Sequence, residues 1–328
     1  MKRVLLVGGG HAHAWVLHEG VQGEVTLVTP YPHHVYSGML PGFVAGHYTL
    51  EDIRIDVAAL AARAGVKLVL GRLVALDAKR RVARLEDGAE IEYDLASLDV
   101  GSHAAAPEYA LAAKPFETFM EQWLEAKDRV RNVAVVGAGA AGVEIAMAVA
   151  HRANTRVTLY SDRPMFRPGL ARRIARQLAR LGVELREGVA FADGMCKDYD
   201  LVIWTAGAAA LPWLRESGLA VDDRGFVLVD ERLRSVSHPE VYAAGDCATL
   251  RDAAHPKSGV FAVRHAPVLA ANLGGADRRY VPQRRTLALI SCGERYAIAD
   301  WGGVSWEGAW VWRWKDRIDR RWVERFRL

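Results

Sequence analysis

Apolar residues run unbroken from Val4 to Val7, stop at Gly8-Gly9-Gly10, and recur at Ala12, Trp15, Val16 and Leu17, the spacing of one buried helix face. A second run, Glu24 to Thr29, is rich in β-branched residues and ends at Pro30. Strand, glycine turn, helix and strand make a βαβ unit of about 28 residues, a Rossmann-type opening. The same grammar returns with Val133 to Val136, the turn Gly137 to Gly142, a helix over Val143 to Arg152 and a strand over Arg156 to Tyr160. Its first glycine lies 129 residues beyond Gly8, which is domain spacing and too long for a solenoid repeat.

Between the two units, Val66 to Leu76, Arg81 to Leu85 and Glu90 to Tyr93 read as strands, with Glu86-Asp87-Gly88 as a hairpin turn. The second unit continues with a helix near Leu170 to Leu181, a strand over Val183 to Arg186 and a buried run from Leu201 to Thr205 that ends in Ala206-Gly207. Further strands are expected over Phe226 to Val229 and from Val241 to the Gly245-Asp246 pair, then a helix over about Gly259 to Leu273 and a mixed tail from Thr286. The pattern predicts an α/β protein with two Rossmann-like domains.

A length of 328 residues suits about two domains, and 51% apolar with 25% charged residues excludes a disordered or low-complexity chain. The excess of four positive charges is too small to point to nucleic acid. Cys196, Cys247 and Cys292 stand 51 and 45 residues apart, which leaves no CxxC pair, no zinc spacing and no disulfide scaffold, so a reducing compartment such as the cytoplasm is expected. Met1-Lys2-Arg3 before Val4 to Val7 imitates a signal peptide, but four apolar residues are too few. Val133 to Ala150 is long enough to span a bilayer, yet it contains Gly137, Gly139, Gly142 and Glu144.

A glycine turn between strand and helix lets the backbone approach a pyrophosphate, which then sits at the positive end of the helix. Gly137, Gly139 and Gly142 complete the GxGxxG pattern. The first copy has Gly8 and Gly10 but carries His13 where the third glycine belongs, so helix and strand should pack less closely there. The acid expected to hold a ribose after the second strand is also replaced, by Thr29-Pro30, leaving Thr29 as a substitute partner. A third mark is Val241 to Asp246, a buried strand that delivers one carboxylate to its C-terminal end. Asp246 would bond a polyol, sit near a phosphate, or merely cap a helix. Histidines two apart (His11, His13) point to different helix faces, and adjacent His33 and His34 add no ligand set, so no metal is expected. A nucleophilic serine elbow and a GxxxxGK[ST] loop are absent.

Together the two glycine turns and the late Gly-Asp pair resemble the two-dinucleotide-binding-domain flavoproteins of the pyridine nucleotide-disulfide oxidoreductase superfamily. Within it, Gly8 to His13, Tyr36-Ser37-Gly38-Met39-Leu40-Pro41-Gly42, Asp99-Val100-Gly101-Ser102 and Pro256 to Arg264 resemble the type II NADH dehydrogenase-like branch, notably the form fused to selenophosphate synthetase. The resemblance implies that the second Rossmann-like domain is inserted in the first, with bounds of 1–105 and 235–285 for the discontinuous first domain, 106–234 for the second, and 286–328 for a C-terminal region. It also implies FAD as cofactor and NAD(P)H as electron donor. Gly8, Gly9, Gly10, His11 and Ala12 would cradle the FAD pyrophosphate, Thr29 and Pro30 would lie by the ribose, and the Leu73 backbone would face the adenine. Gly101 and Ser102 would pass near the cofactor, Gly245 and Asp246 would approach the ribityl chain, and Lys257, Gly259, Val260 and Phe261 would lie along the isoalloxazine. Gly137, Gly139, Gly142, Ser161, Thr205, Ala206 and Gly207 would face the nicotinamide dinucleotide, with Glu144 reaching its reactive end. Glu144 and Lys257 are the charged groups expected near the reacting ring.

Departures from the family bear on chemistry. The redox CxxxxC of the disulfide reductases is missing, and Cys247 has no evident thiol partner. Ser161 replaces the acid that selects NADH, while Arg163 and Arg167 could accept a 2′-phosphate, which leaves NADH against NADPH open. Glu187 to Asp200 is short for this fold's crossover layer. In Trp310 to Leu328, Val311, Trp314, Ile318, Trp322 and Phe326 recur at helical spacing among seven Lys and Arg, a basic amphipathic helix suited either to a membrane surface or to docking on the first domain. The expected activity is FAD-dependent oxidation of NAD(P)H with a quinone-like acceptor. A sulfide or selenium-linked oxidoreductase using Cys247, or a flavin-bound redox partner without efficient turnover, are the alternatives. No coiled-coil repeat sets an oligomeric state.

Overall fold

A computed structural model describes the chain except residues 153, 154, 284 and 328, so Leu328 of the expected C-terminal helix lies outside the described residues. The first unit is built on a five-stranded parallel sheet in the order Val241–Ala243, Leu95–Leu98, Arg3–Val7, Glu24–Thr29, Lys67–Leu70. The buried run Val4 to Val7 lies at its centre, and the helix His11–Glu19 leaves from its carboxyl end to pack against the helix Gly259–Leu273. The second unit repeats the plan with the parallel order Leu111–Ala112, Leu201–Trp204, Asn132–Val136, Arg156–Ser161, Glu184–Glu187. Its strand Asn132–Val136 feeds the helix Ala140–His151 through the Gly137 to Gly139 turn.

The two glycine turns pack differently, as His13 foretold. A Cβ on Gly142 would stand 1.7 Å from the Gly137 carbonyl oxygen, so helix and strand touch and only glycine fits. In the first unit the wholly buried His13 ring fills that space. Its Nδ1 donates to the Gly8 carbonyl at 2.6 Å, which leaves Nε2 to accept from the Ser97 hydroxyl at 2.8 Å. Burial pushes this imidazole down to about 4 and so favours the neutral form that the two bonds require.

The structure divides the expected strand Val66 to Leu76 at Gly71. Lys67–Leu70 extends the parallel sheet, whereas Leu73–Asp77 starts an antiparallel meander with Val82–Leu85 and Glu90–Glu92. The Gly71 amide still bonds the Thr29 carbonyl at 3.0 Å, and the chain then turns away to follow its new partner. Val227–Val229 pairs in parallel with Ala248–Leu250 in a two-stranded sheet that joins the chain on either side of residue 235. The short crossover over Glu187 to Asp200 is a 3-10 turn, Asp193–Asp198.

The tail forms an antiparallel sheet, Leu287–Ser291, Ala297–Trp301 and Val304–Gly308, followed by the helix Ala309–Glu324. This helix docks on the first unit. Val311, Trp322 and Phe326 of the expected stripe are buried, and Trp322 stacks on Trp15 with ring centroids 5.5 Å apart. Polar bonds fix its register: Tyr36 donates to Asp319 at 3.2 Å, Tyr48 to Asp316 at 2.7 Å, and the enclosed Lys315 ammonium to the Gly38 carbonyl at 2.5 Å and Asp319 at 2.6 Å. A buried ammonium so paired escapes most of the cost of leaving water. The stripe is therefore largely spent on protein contact, with Ile318 left 41% exposed. Among the described residues no helix is long and apolar enough to cross a membrane, and no cluster of three or more His, Cys, Asp or Glu could hold a metal ion.

Replacing His13 with Ala opens a cavity and strands the Gly8 carbonyl and Ser97 hydroxyl. The variant should unfold with about 2–4 kcal/mol less free energy than the parent, whereas Ile318→Ala should lose less than about 1 kcal/mol. Urea unfolding midpoints of the two variants measure both.

Candidate functional site

The carboxyl ends of the first sheet open on a cleft of about 500 Å³. Gly8, Gly9, Gly10, His11, Thr29, Pro30, Leu73, Gly101, Ser102, Asp246 and Gly259 all line it, so residues foreseen from segments more than 200 positions apart come together. The opposite wall includes Trp213, from the segment where the chain leaves the second unit. Gly245 lies just behind, its amide donating to His265 Nδ1 at 3.1 Å.

Charge in the cleft is concentrated around Asp246. Lys114 Nζ donates to its Oδ2 at 2.5 Å and to Ser102 Oγ at 3.1 Å, and that hydroxyl donates to the same carboxylate oxygen at 3.1 Å. Asp246 therefore receives hydrogen bonds from side chains, and its role as a mere helix cap falls away. On the neighbouring wall His34 Nε2 lies 2.9 Å from His11 Nδ1, and His34 Nδ1 is 4.0 Å from Glu117 Oε1. Burial, aided by the Lys114 ammonium, holds His11 down to about 4. Its Nε2 has no partner, and a Cβ on Gly259 would stand 3.8 Å from it.

Not every foreseen residue reaches the cleft wall. Ala12 offers no free amide, because the Asp99 carboxylate accepts it at 2.8 Å. Lys257 directs its ammonium to the Ala248 carbonyl at 2.6 Å and Thr249 Oγ1 at 2.8 Å, over the Phe226 ring, and burial lowers it to about 8. Phe261 stacks on His255 at 3.9 Å, and Val260 is partly exposed at the helix start. Lys257 and Phe261 stand behind the wall and Val260 faces away from it, because the helix Gly259–Leu273 presents Gly259 and Ala262 to the cleft instead.

The second site sits at the carboxyl end of the second sheet. Gly139 caps the helix Ala140–His151 without any side-chain bond, so its first-turn amides stay free for an anion. Thr205 Oγ1 donates to the Val136 and Gly137 carbonyls at 2.9 and 2.8 Å, and a Cβ on Gly137 would meet Ala206 at 2.8 Å, which brings Thr205, Ala206 and the turn together. Gly207 has φ of 69°. Ser161 closes its strand and donates to the Arg163 carbonyl at 2.6 Å. Of the two candidate arginines, Arg167 is committed to Asp300 and Ser305, whereas the Arg163 side chain is 74% exposed. Glu144 is enclosed between this helix and the tail: it accepts the Ser291 amide at 2.8 Å, and burial raises it to about 7 against the pull of the Lys315 ammonium.

Sequence reading takes Asp99 only as part of a family motif and His34 only as a rejected metal ligand, and it singles out neither Lys114, Glu117 nor Trp213; all five line the cleft. Asp99 carried the signal used for Asp246, a carboxylate at the end of a buried strand. Lys114 and Trp213 carried none, because crossover segments show no period.

The cradle fits a dinucleotide: a glycine turn at a helix start, a ring nitrogen without a partner, and a carboxylate clamped by Lys114. Comparison with known proteins agrees. The profile of the pyridine nucleotide-disulphide oxidoreductase family matches residues 2–266, and the chain belongs to that family of FAD-binding, NAD(P)H-using oxidoreductases. It is 24% identical over 278 residues to NADH dehydrogenase-like protein YutJ of Bacillus subtilis, covering 76% of this chain and 78% of that one. Identity to NADH dehydrogenase-like protein Rv1812c of Mycobacterium tuberculosis is 27% over 301 residues, with 76% and 74% covered. The fold matches the NADH-bound water-forming NADH oxidase of Lactobacillus brevis with a TM-score of 0.75 at 21% identity, over 91% of this chain and 75% of that one. It matches the sulfide:quinone oxidoreductase of Aquifex aeolicus with a TM-score of 0.74 at 13% identity, over 100% and 92%.

Asp246→Ala removes the carboxylate that Lys114 and Ser102 hold, and should weaken FAD binding by about ten- to a hundredfold, the loss expected for a charged hydrogen bond. Gly139 has room for a side chain, its Cβ meeting nothing nearer than Met165 Cε at 3.9 Å. Gly139→Val should therefore keep FAD but block the amides of the second turn, so that NAD(P)H no longer reduces the flavin. Flavin content and anaerobic bleaching read the two losses separately. A folded Gly139→Val protein without FAD would reverse the assignment of the two turns.

Proposed function

We propose that the chain is an FAD-dependent NAD(P)H dehydrogenase that passes electrons to a quinone-like acceptor, in the branch that resembles the flavoprotein partner of selenophosphate synthetase. The first unit, with its return strand, is the FAD domain, the inserted unit is the nicotinamide domain, and the tail braces the two through Glu144 and Lys315. Bound FAD would accept a hydride from the nicotinamide and release two electrons to the acceptor. The backbone of Gly9, Gly10 and His11 would hold the pyrophosphate, and Asp246, oriented by Lys114 and Ser102, the ribityl chain. Thr29 and Leu73 would lie at the adenosine end. Gly137 to Gly142 with Thr205 to Gly207 would hold the second dinucleotide.

The observation that carries this reading is the pairing of two separate glycine turns with thiols that cannot relay electrons. Cys247 is wholly buried, and burial together with the Asp99 carboxyl raises it to about 12. Cys292 is likewise buried and raised to about 12. Thiols so placed are poor nucleophiles, which weighs against sulfide chemistry at Cys247. Replacing Cys196, Cys247 and Cys292 together by Ser should leave kcat with NAD(P)H and a soluble quinone within about threefold of the parent. A folded, FAD-loaded variant without activity would favour the thiol mechanism.

Ser161 and the exposed Arg163 support use of NADPH beside NADH. Ser161→Asp should lower kcat/KM for NADPH by about tenfold or more and spare NADH, since a carboxylate there repels a 2′-phosphate. Equal losses with both would remove Ser161 from donor choice. A cytoplasmic protein at a membrane surface would meet lipid through the outward side of the last helix, where Trp310, Arg313, Arg317, Ile318 and Arg321 are exposed. Arg313→Glu with Arg317→Glu should abolish salt-sensitive co-sedimentation with anionic vesicles and leave turnover with a soluble dye intact. Unchanged sedimentation would remove that surface from the account.

A further inference from the structure

Asp99 ends the strand Leu95–Leu98 and turns its carboxyl group on to the first turn of the helix His11–Glu19. Oδ2 accepts the Ala12 amide at 2.8 Å and the His13 amide at 3.0 Å. Three glycines make room for it: a Cβ on Gly10 would stand 2.5 Å from Oδ2, one on Gly245 2.9 Å from Oδ1, and one on Gly8 2.3 Å from the Asp99 carbonyl. The group is enclosed yet forms part of the cleft wall.

The positive end of this helix thus already holds an acid of the protein's own. A dinucleotide pyrophosphate brings two further negative charges to the Gly8 to His11 turn beside it. Asp246 adds another, which Lys114 offsets. Asp99 is enclosed, so bulk water screens the repulsion poorly, and the glycine cradle with its two amide bonds leaves it no room to swing aside. Protonation remains.

Resting on the FAD reading above, we infer that cofactor uptake is proton-linked: Asp99 gains a proton when the pyrophosphate enters, Oδ1 carrying it while Oδ2 keeps the two amides. Burial raises Asp99 to about 7 before any ligand arrives, opposed by the His13 and Ala12 amides and helped by Asp246. The other groups around it are His11, held to about 4, and His13, also about 4, on the first helix; His265, about 3, on the Gly259–Leu273 helix; and Cys247, about 12, beside Asp246. None of these changes charge near pH 7. Two groups remain: Lys257, lowered to about 8, faces Thr249 and Cys247 instead, and Glu117, raised by burial, lies in the cleft beside His34.

The sign follows from linkage. Free Asp99 is ionised above about pH 7 and must be protonated to accept FAD, so affinity is greatest below that pH and falls as pH rises, approaching tenfold per unit. Asp99→Asn keeps an acceptor for the two amides and is neutral throughout, so its affinity should be flat.

Calorimetric titration of the flavin-free protein with FAD, in two buffers of different ionisation heat, counts the protons directly. Close to one proton per FAD at pH 8, fewer at pH 6, and no comparable uptake by Asp99→Asn are expected. FAD binding at pH 8 without proton uptake overturns the inference even if the variant fails to fold, and leaves the FAD reading standing. Uptake that persists in Asp99→Asn overturns it in favour of Lys257 or Glu117. Absence of FAD binding at either pH overturns both.

Discussion

The amino end of the helix His11–Glu19 has no cap of its own. Gly10 supplies no side chain, and the amides that follow must find acceptors from elsewhere in the fold. Asp99 takes two of them, reaching in from the next strand of the sheet. Much else is arranged around that reach. Gly8, Gly10 and Gly245 are small where the Asp99 residue passes, His13 ties the helix back to Gly8 and Ser97, and the carboxyl ends of three strands meet at one cleft.

The second glycine turn solves the same problem differently. Gly142 lets the helix rest directly on the strand, and the first-turn amides beyond Gly139 are left uncapped. One chain thus carries one helix amino end that holds an acid of its own and another that is left open. The tail touches both units: the Lys315 ammonium donates to the Gly38 carbonyl of the first, and the Ser291 amide donates to the half-buried Glu144 carboxylate of the second.

Strand, glycine turn and helix were legible because they are local patterns, and Gly259–Leu273 forms over the bounds its pattern suggests. The strand across Gly71 was misread because its two halves share one apolar pattern while pairing with different partners, which sequence does not display. The glycines and Asp246 that line the cleft were visible in the sequence. Lys114, His34 and Trp213 were not, since their positions depend on crossovers brought together by the sheet. Ala12 and Lys257 were expected at the cofactor from the family resemblance alone. Their polar groups are instead satisfied by Asp99, and by Ala248 and Thr249.

The proposed function requires a hydride to cross from a nicotinamide on the second turn to a flavin on the first, with no thiol between them. Anaerobic mixing of the FAD-loaded protein with one equivalent of NADH or NADPH, followed by flavin absorbance, tests it directly. The account predicts bleaching of about one flavin per nicotinamide oxidised, at a rate no slower than turnover. Flavin that stays oxidised with both nucleotides yet bleaches with sulfide would contradict it.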